Sequence, residues 1–475
     1  MSAPLIFLLL PLAASVLSYL LFPRRHRSVI YVITGLSLFL SWLSLSLPLD
    51  APLTIWNISI PVSHSFQVFG RSFTFDPNMR PALFFLSFGT AALYGGSLAI
   101  ASYRRFLPVG LVVQSLLTAS LFVQPFLYGA VFLLLSVTCL SLLLSDSSHP
   151  RPRGAVRWIS FTALGVPFLL LAGTELAYRS GLPLDPARAQ PIILLLSIGF
   201  GLFLSFPPFH FWLPDVADDS PPYSVAFVLS VYVGAVVFFL LRFLDEFAWL
   251  RSSPEIFQIL QVAGLVMCVV GGLLSLTQTR FGRMIGYLSL INLGAILLDL
   301  STAKPAGIEA AMVMIAARGY ALVIWGIAFH SIRLRHAGDR LEDLRGKGSL
   351  FPFSCAAAVL SGLSLVGLPG LLSFPSYWAT LTTLSTASAP HGEIPLSMLI
   401  LLVSMAAGTL SCLRFAKVML EAPIQWPFPV EGGRLYRLII GLAIISFFVL
   451  GFLPQLYLPW VASSAQAFTN LMLVH

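Results

Sequence analysis

LSFPPFHFWLPDVADDSPPYSVAFVLSVYVGAVVFFLLRF, residues 204–243, decides how the chain is read. Pro207, Pro208 and Pro214 surround His210, and each proline removes a backbone donor and crowds the preceding turn. Then Tyr223 to Leu241 runs without a charge, long enough to cross a bilayer as one helix. A helix that breaks at membrane depth is tolerated only where protein or a water-filled cavity lines the break. The segment therefore reads as a broken membrane helix followed by an intact one.

Composition extends that reading to the whole chain. Of 475 residues, 57% are hydrophobic and 10% charged, and the mean hydropathy is +0.90. A soluble chain is roughly 45–50% apolar and about 25% charged, so a soluble enzyme is excluded. About 270 apolar residues would fill roughly 13 or 14 helices of about 20 each. Unbroken apolar runs exclude a transmembrane barrel, whose strands alternate every second residue. The net charge of +8 belongs to short loops rather than to a nucleic-acid surface. Cys139, Cys268, Cys355 and Cys412 form no CxxC pair and read as apolar fillers, so neither a disulfide framework nor a metal site is expected. No nucleotide loop, flavin signature or iron–sulfur pattern is present; no cofactor and no catalytic residue is expected, and any redox chemistry belongs to a partner.

The expected fold is an all-α polytopic membrane domain, 1–475, of about fourteen spans. The first seven are expected near 4–22, 28–48, 81–101, 107–124, 126–145, 156–178 and 190–213. The others are expected near 224–244, 256–278, 283–301, 306–332, 350–383, 395–418 and 437–460. The first segment lacks the basic flank of a signal peptide and is taken as a retained helix. Breaks are expected near 205–215 and 366–377, the second because of Pro369 and Pro375. Spans 81–245 and 256–420 are read as two pseudo-repeat halves. Most of the 27 Lys and Arg residues fall in loops after odd-numbered spans, which makes those loops cytoplasmic and puts both termini outside.

Ionisable groups inside the hydrocarbon are costly and mark function. The acids fall in loops or at span ends, as Glu175, Asp299 and Glu309 do, which leaves His210 and Arg318 as the exceptions. His210 reads either as a proton relay or, preferably, as a histidine bonding carbonyls freed by the break. Asp215, Asp218 and Asp219 read as a solvated rim. Arg318 has no acid one turn away, so its partner must be a carbonyl or a group on another helix; a structural clamp and a functional cation both fit.

The stretch PFHFWLPD, the helix LTQTRFGRMIGYLSLINLGAILL and the broken SLVGLPGLLSFPSYW together resemble the antiporter-like membrane subunits of complex I, the proton-pumping NADH:quinone oxidoreductase, and their relatives in cation/proton antiporters. The PDV after the tryptophan leans toward the family's shorter subunits. The resemblance implies a fourteen-span subunit of a multi-subunit complex in a bacterial-type inner membrane. Its partners would be other integral membrane subunits and the lipid bilayer, with a soluble redox or zinc-binding partner a further expectation. The resemblance also implies a midplane glutamate and lysines, and these are missing. Their positions fall on Leu134, Phe203, Gly234, Gly282 and Tyr377. The expectation is a degenerate proton path and a scaffold or coupling role. One alternative is a path rebuilt around His210, Arg318, Asp215, Tyr232 and Tyr287. Another is an accessory subunit of an inorganic-carbon uptake or hydrogenase-type complex.

Overall fold

The computed structural model describes residues 2–48, 53–55, 58–60, 62–68, 70–100, 104–145, 153–177, 186–335, 338–388, 395–421 and 431–472. Apolar sequence uninterrupted for a membrane thickness becomes helix, because inside a bilayer only a helix satisfies every backbone group within its own segment. The first helix, α1 (Ala3–Ser46), is kinked at Arg25 and carries two spans, Ala3–Phe22 and Arg25–Ser46. Then follow α2 (Arg80–Gly96), α3 (Phe106–Phe122), α4 (Gly129–Leu144), α5 (Arg153–Ala177) and α6 (Pro186–Phe203). After the first break come α7 (Trp212–Asp219), α8 (Pro222–Phe227), a π-helical turn at Val228–Tyr232 and α9 (Val233–Glu246), the last three continuous as one span. A short α10 (Ala248–Arg251) leads into α11 (Pro254–Thr277), α12 (Phe281–Ser301) and α13 (Pro305–Arg335). The second broken span is α14 (Pro352–Leu365) with α15 (Phe374–Ser388), before α16 (Leu396–Leu420) and α17 (Arg434–Phe452).

Among the described residues, nine helices are long and apolar enough to cross a membrane, and four shorter apolar helices accompany them. Two of these shorter helices, α6 and α14, belong to the broken spans, and with α2 added the arrangement accommodates about fourteen spans. The last span ends earlier than expected. Pro454 stops it, and the chain folds into short helices, including α18 (Leu458–Ser463) and α19 (Thr469–Met472). That segment is held at the end of α9, where Asp245 Oδ1 accepts from the backbone N–H groups of Asn470 and Leu471 at 3.1 Å each. Between α1 and α2, strand Ser65–Val68 pairs antiparallel with Arg71–Thr74, in the register Phe66 opposite Phe73.

The spans sort into a centre and a rim. The span of α8 and α9, with α12 and α13, is buried almost throughout, whereas α1, α11, α16 and α17 keep large apolar side chains such as Val32, Leu273, Leu410 and Leu438 exposed. Apolar surface left outside on many long helices suits a hydrocarbon solvent.

Both breaks have a backbone cause. At the first, Ser205 is left-handed (φ +63°), and Phe206 N–H reaches back to Gly201. At the second, Gly367 takes φ +73° and lies so close to the Tyr377 ring that a Cβ there would collide with it. Only glycine meets both demands.

Candidate functional site

The polar interior centres on Arg318, in the middle of α13 and 2% exposed. Its Nε donates to Leu229 O at 3.2 Å, and Nη1 donates to Ser289 O at 2.8 Å and to Asn292 Oδ1 at 3.3 Å. Leu229 belongs to the π-helical turn, where the usual backbone ladder is interrupted and a carbonyl becomes free to face sideways. Carbonyl oxygens and one side-chain amide therefore hold the guanidinium, while Nη2 meets no partner among the described residues. The bonds run to the α8–α9 span on one side and to α12 on the other, so the arginine ties these spans to α13.

From Arg318 the hydrogen bonds continue. Asn292 Nδ2 donates to Tyr377 OH at 3.3 Å and to Leu365 O at 3.2 Å, and Tyr377 OH donates to Leu365 O at 2.7 Å. One turn further along α15, Thr380 Oγ1 lies 3.1 Å from Asp299 Oδ2. Asp299 lies at the end of α12, as expected, but is fully buried against α15. Asn292 and Asp299 were missed as interior groups. The signal available was a polar residue seven positions from an acid on one apolar helix, which puts both on one face.

A second cluster lies around α7. Asp215 is ion-paired with Arg157 of α5 and, at 2.5 Å, with Arg283 of α12; Arg280 meets Asp218 at 3.1 Å. Gly154 N–H also points to Asp219 Oδ2 at 3.4 Å. The expected solvated rim is instead, for Asp215 and Asp218, a pair of buried carboxylates clasped by partly exposed arginines, because α7 folds back between two helices that bring arginines to it. Burial pushes the Asp218 carboxyl above the usual carboxylate range, against the opposing pull of Arg280.

His210 is buried beside the first break, and its ring lies 4.2 Å from that of Phe211. The carbonyl bonds expected of it are not there. Neither ring nitrogen has a hydrogen-bond partner among the described residues, because the freed carbonyls are taken by backbone N–H groups such as that of Phe209, which bonds Phe206 O at 2.6 Å. Tyr232 is fully buried, edge-on to Trp158, which stacks on Trp212 at 5.5 Å. Tyr287 is buried one turn along α12 from Arg283. The structure thus joins Arg318 to Tyr377, and Asp215 to Arg283. Among the described residues no hydrogen bond or ion pair joins His210, Tyr232 and Arg318.

The positions where the resemblance implies carriers are filled in different ways. Leu134 is half-buried apolar surface. Phe203 is fully buried, with its ring so close to α5 that a Cβ on Gly165 would lie 2.9 Å from it. Gly282 faces Ala217 O of α7 so closely that no side chain fits, and Gly286 beside it approaches Pro214 in the same way, a Cβ there lying 2.5 Å from Pro214 Cα. Gly234 is the exception: a Cβ there would meet nothing within 4 Å. Among the described residues, no group of three or more His, Cys, Asp or Glu could hold a metal ion.

Residues 187–402 match the family described as NADH:quinone oxidoreductase/Mrp antiporter, TM. NADH-quinone oxidoreductase subunit N 2 of Acidobacterium capsulatum is 28% identical over 360 residues, covering 70% of this chain and 72% of that one. NADH-quinone oxidoreductase subunit 13 of Thermus thermophilus is 25% identical over 443 residues, covering 86% and 89%. A chain of the membrane-bound sulfane sulfur reductase, an archaeal respiratory membrane complex, superposes with a TM-score of 0.80 at 16% identity, covering 99% and 98%. Residues 187–402 are thus similar to the NADH:quinone oxidoreductase/Mrp antiporter family, and along its length the chain has the fold of the respiratory membrane subunit it superposes on.

Proposed function

We propose that the chain is a coupling and scaffold subunit of a multi-subunit, complex I-like assembly and has no proton path of its own along the family's usual axis. Its partners are other membrane subunits. One observation carries the reading: at the carrier positions the chain places Leu134, a tightly packed Phe203, and glycines at 234 and 282. A cavity offering water fewer than about two polar contacts stays dry, so these replacements give a proton neither a carrier nor a wire. What remains are fixed ties, namely Arg318 at the centre and Asp215 and Asp218 around α7. They link spans of the two pseudo-repeat halves, 81–245 and 256–420, as a rigid transmission element would. The basic loops belong on the cytoplasmic side of a bacterial-type inner membrane, with both termini opposite. A soluble redox or zinc-binding partner would supply the chemistry this chain lacks.

A second reading, a rebuilt ion path, draws on the run from Arg318 through Asn292 to Tyr377, with Thr380 and Asp299 beyond. His210, Asp215, Tyr232 and Tyr287 would complete it.

Gentle purification of the tagged chain from its native membrane, with identification of what accompanies it, tests the assembly. Co-isolated quinone-reductase membrane subunits are the expected result. A zinc-binding soluble partner would favour an inorganic-carbon complex, and a chain that comes out alone would contradict the reading.

A further inference from the structure

Three large aromatic side chains meet between the α7 clasp and Arg318. Trp158 of α5 stacks on Trp212 of α7, ring centroids 5.5 Å apart, and Tyr232 of the π-helical turn stands edge-on to Trp158 at 4.9 Å. All three are fully buried. The clasp adjoins them in sequence: Arg157 precedes Trp158, and its partner Asp215 lies one turn after Trp212. On the other side Leu229 O, one turn before Tyr232, accepts from Arg318 Nε at 3.2 Å. The trio thus stands between an ionic cluster whose Arg157 and Arg283 side chains are 53% and 40% exposed and a cation sealed at the centre.

The polar atoms here point to what the rings displace. Trp158 Nε1, Trp212 Nε1, Tyr232 OH and Thr162 Oγ1 are buried, and none makes a hydrogen bond among the described residues. Thr162 lies one turn beyond Trp158 on the same face of α5, and the Tyr232 hydroxyl faces both. Buried donors are nearly always paired, with protein or with ordered water. Four left unpaired in one place are the walls of a water site whose space the rings occupy.

Dryness here therefore has a different cause from that at Leu134 and Phe203. An apolar cavity stays dry for want of partners, whereas a polar one of sufficient volume fills. A water takes about 30 Å³ of liquid, and an indole displaces several times that. Stacked and edge-on ring contacts hold the trio closed.

We propose that Trp158, Trp212 and Tyr232 form an aromatic plug, which keeps water from the interval between the clasp and Arg318 by filling it, over walls that would otherwise hold water. The inference rests on the reading that the chain uses no proton path of its own, and it names side chains that keep one shut. Trp158 and Trp212 supply the bulk; Thr162 and Tyr232 supply the polar wall.

The test is hydroxyl-radical labelling of the full chain in vesicles, read residue by residue by mass spectrometry. Such radicals form from water and add oxygen to the rings beside it. In the wild type Trp212 and Tyr232 should stay unlabelled. Trp158→Ala opens the space and leaves most of the polar wall, so both should gain label; Trp212→Ala opens it from α7 and should expose Tyr232 in the same way. Adding Thr162→Val and Tyr232→Phe to Trp158→Ala keeps the space but leaves water too few partners, and the label on Trp212 should be lost again. Label on Trp212 or Tyr232 in the wild type would overturn the plug. So would a folded Trp158→Ala and a folded Trp212→Ala that both leave Tyr232 unlabelled, or undiminished label on Trp212 in the triple variant. The plug and the reading it rests on fail separately: proton flux through the wild-type chain contradicts the absence of a path, whereas label on its buried rings contradicts the plug.

Discussion

Arg318 shows how a charge survives in hydrocarbon without an acid beside it. An arginine at the centre of a membrane helix costs at least about 2.5 kcal/mol, and the chain offsets this with directed neutral acceptors. One of these, Leu229 O, becomes available through the π-helical turn. The sequence announced that a partner had to come from elsewhere; it could not announce which, because Leu229, Ser289 and Asn292 lie 26 to 89 residues away. Each hydrogen bond to a charged group contributes roughly 1.5–3 kcal/mol, and deleting the guanidinium leaves its buried acceptors unpaired. Arg318→Leu should therefore lower the melting temperature of the detergent-purified chain and its incorporation into a complex. Arg318→Lys should recover only part of both, since an ammonium lacks the planar fork. A leucine variant as stable and as well incorporated as wild type would remove the clamp.

At the scale of elements, α7 explains why α12 carries glycine at 282 and 286. Gly154 of α5 and Gly282 and Gly286 of α12 admit the α7 backbone so closely that even a methyl group meets it. Gly282→Ala should cost about 1–3 kcal/mol by overpacking, read as a lower melting temperature, while Gly234→Ala should change it little. Equal effects at the two positions would contradict this account. The breaks at 205–215 and 366–377 were legible because proline and glycine act locally, through their own φ and missing donors. The clasp on Asp215 was not, because Arg157 and Arg283 reach it from 58 and 68 residues away in sequence. The same limit hid Asp299, whose burial depends on α15 packing over the end of α12. Apolar runs gave the spans well but overextended the last one past Pro454, where the chain turns back and Asp245 fastens the tail.

For the whole molecule, two claims are open to direct measurement. The first is topology. Reporter fusions at Arg340 and at the C-terminus should report opposite compartments, because the proposed topology puts the basic 333–347 segment on the cytoplasmic side and the C-terminus opposite. Agreement between them would mean that the span count is off by an odd number. The second is conduction. The central claim is that a chain with the antiporter fold has lost the groups that move protons through it and kept the ties that hold its halves together. Reconstituting the chain alone in liposomes and following a pH-sensitive dye under an imposed gradient tests this most directly. Wild type, His210→Ala and Arg318→Leu should all show only the slow background of empty vesicles. Fast proton flux in the wild type that disappears in either variant would contradict the account and establish a path rebuilt around those residues.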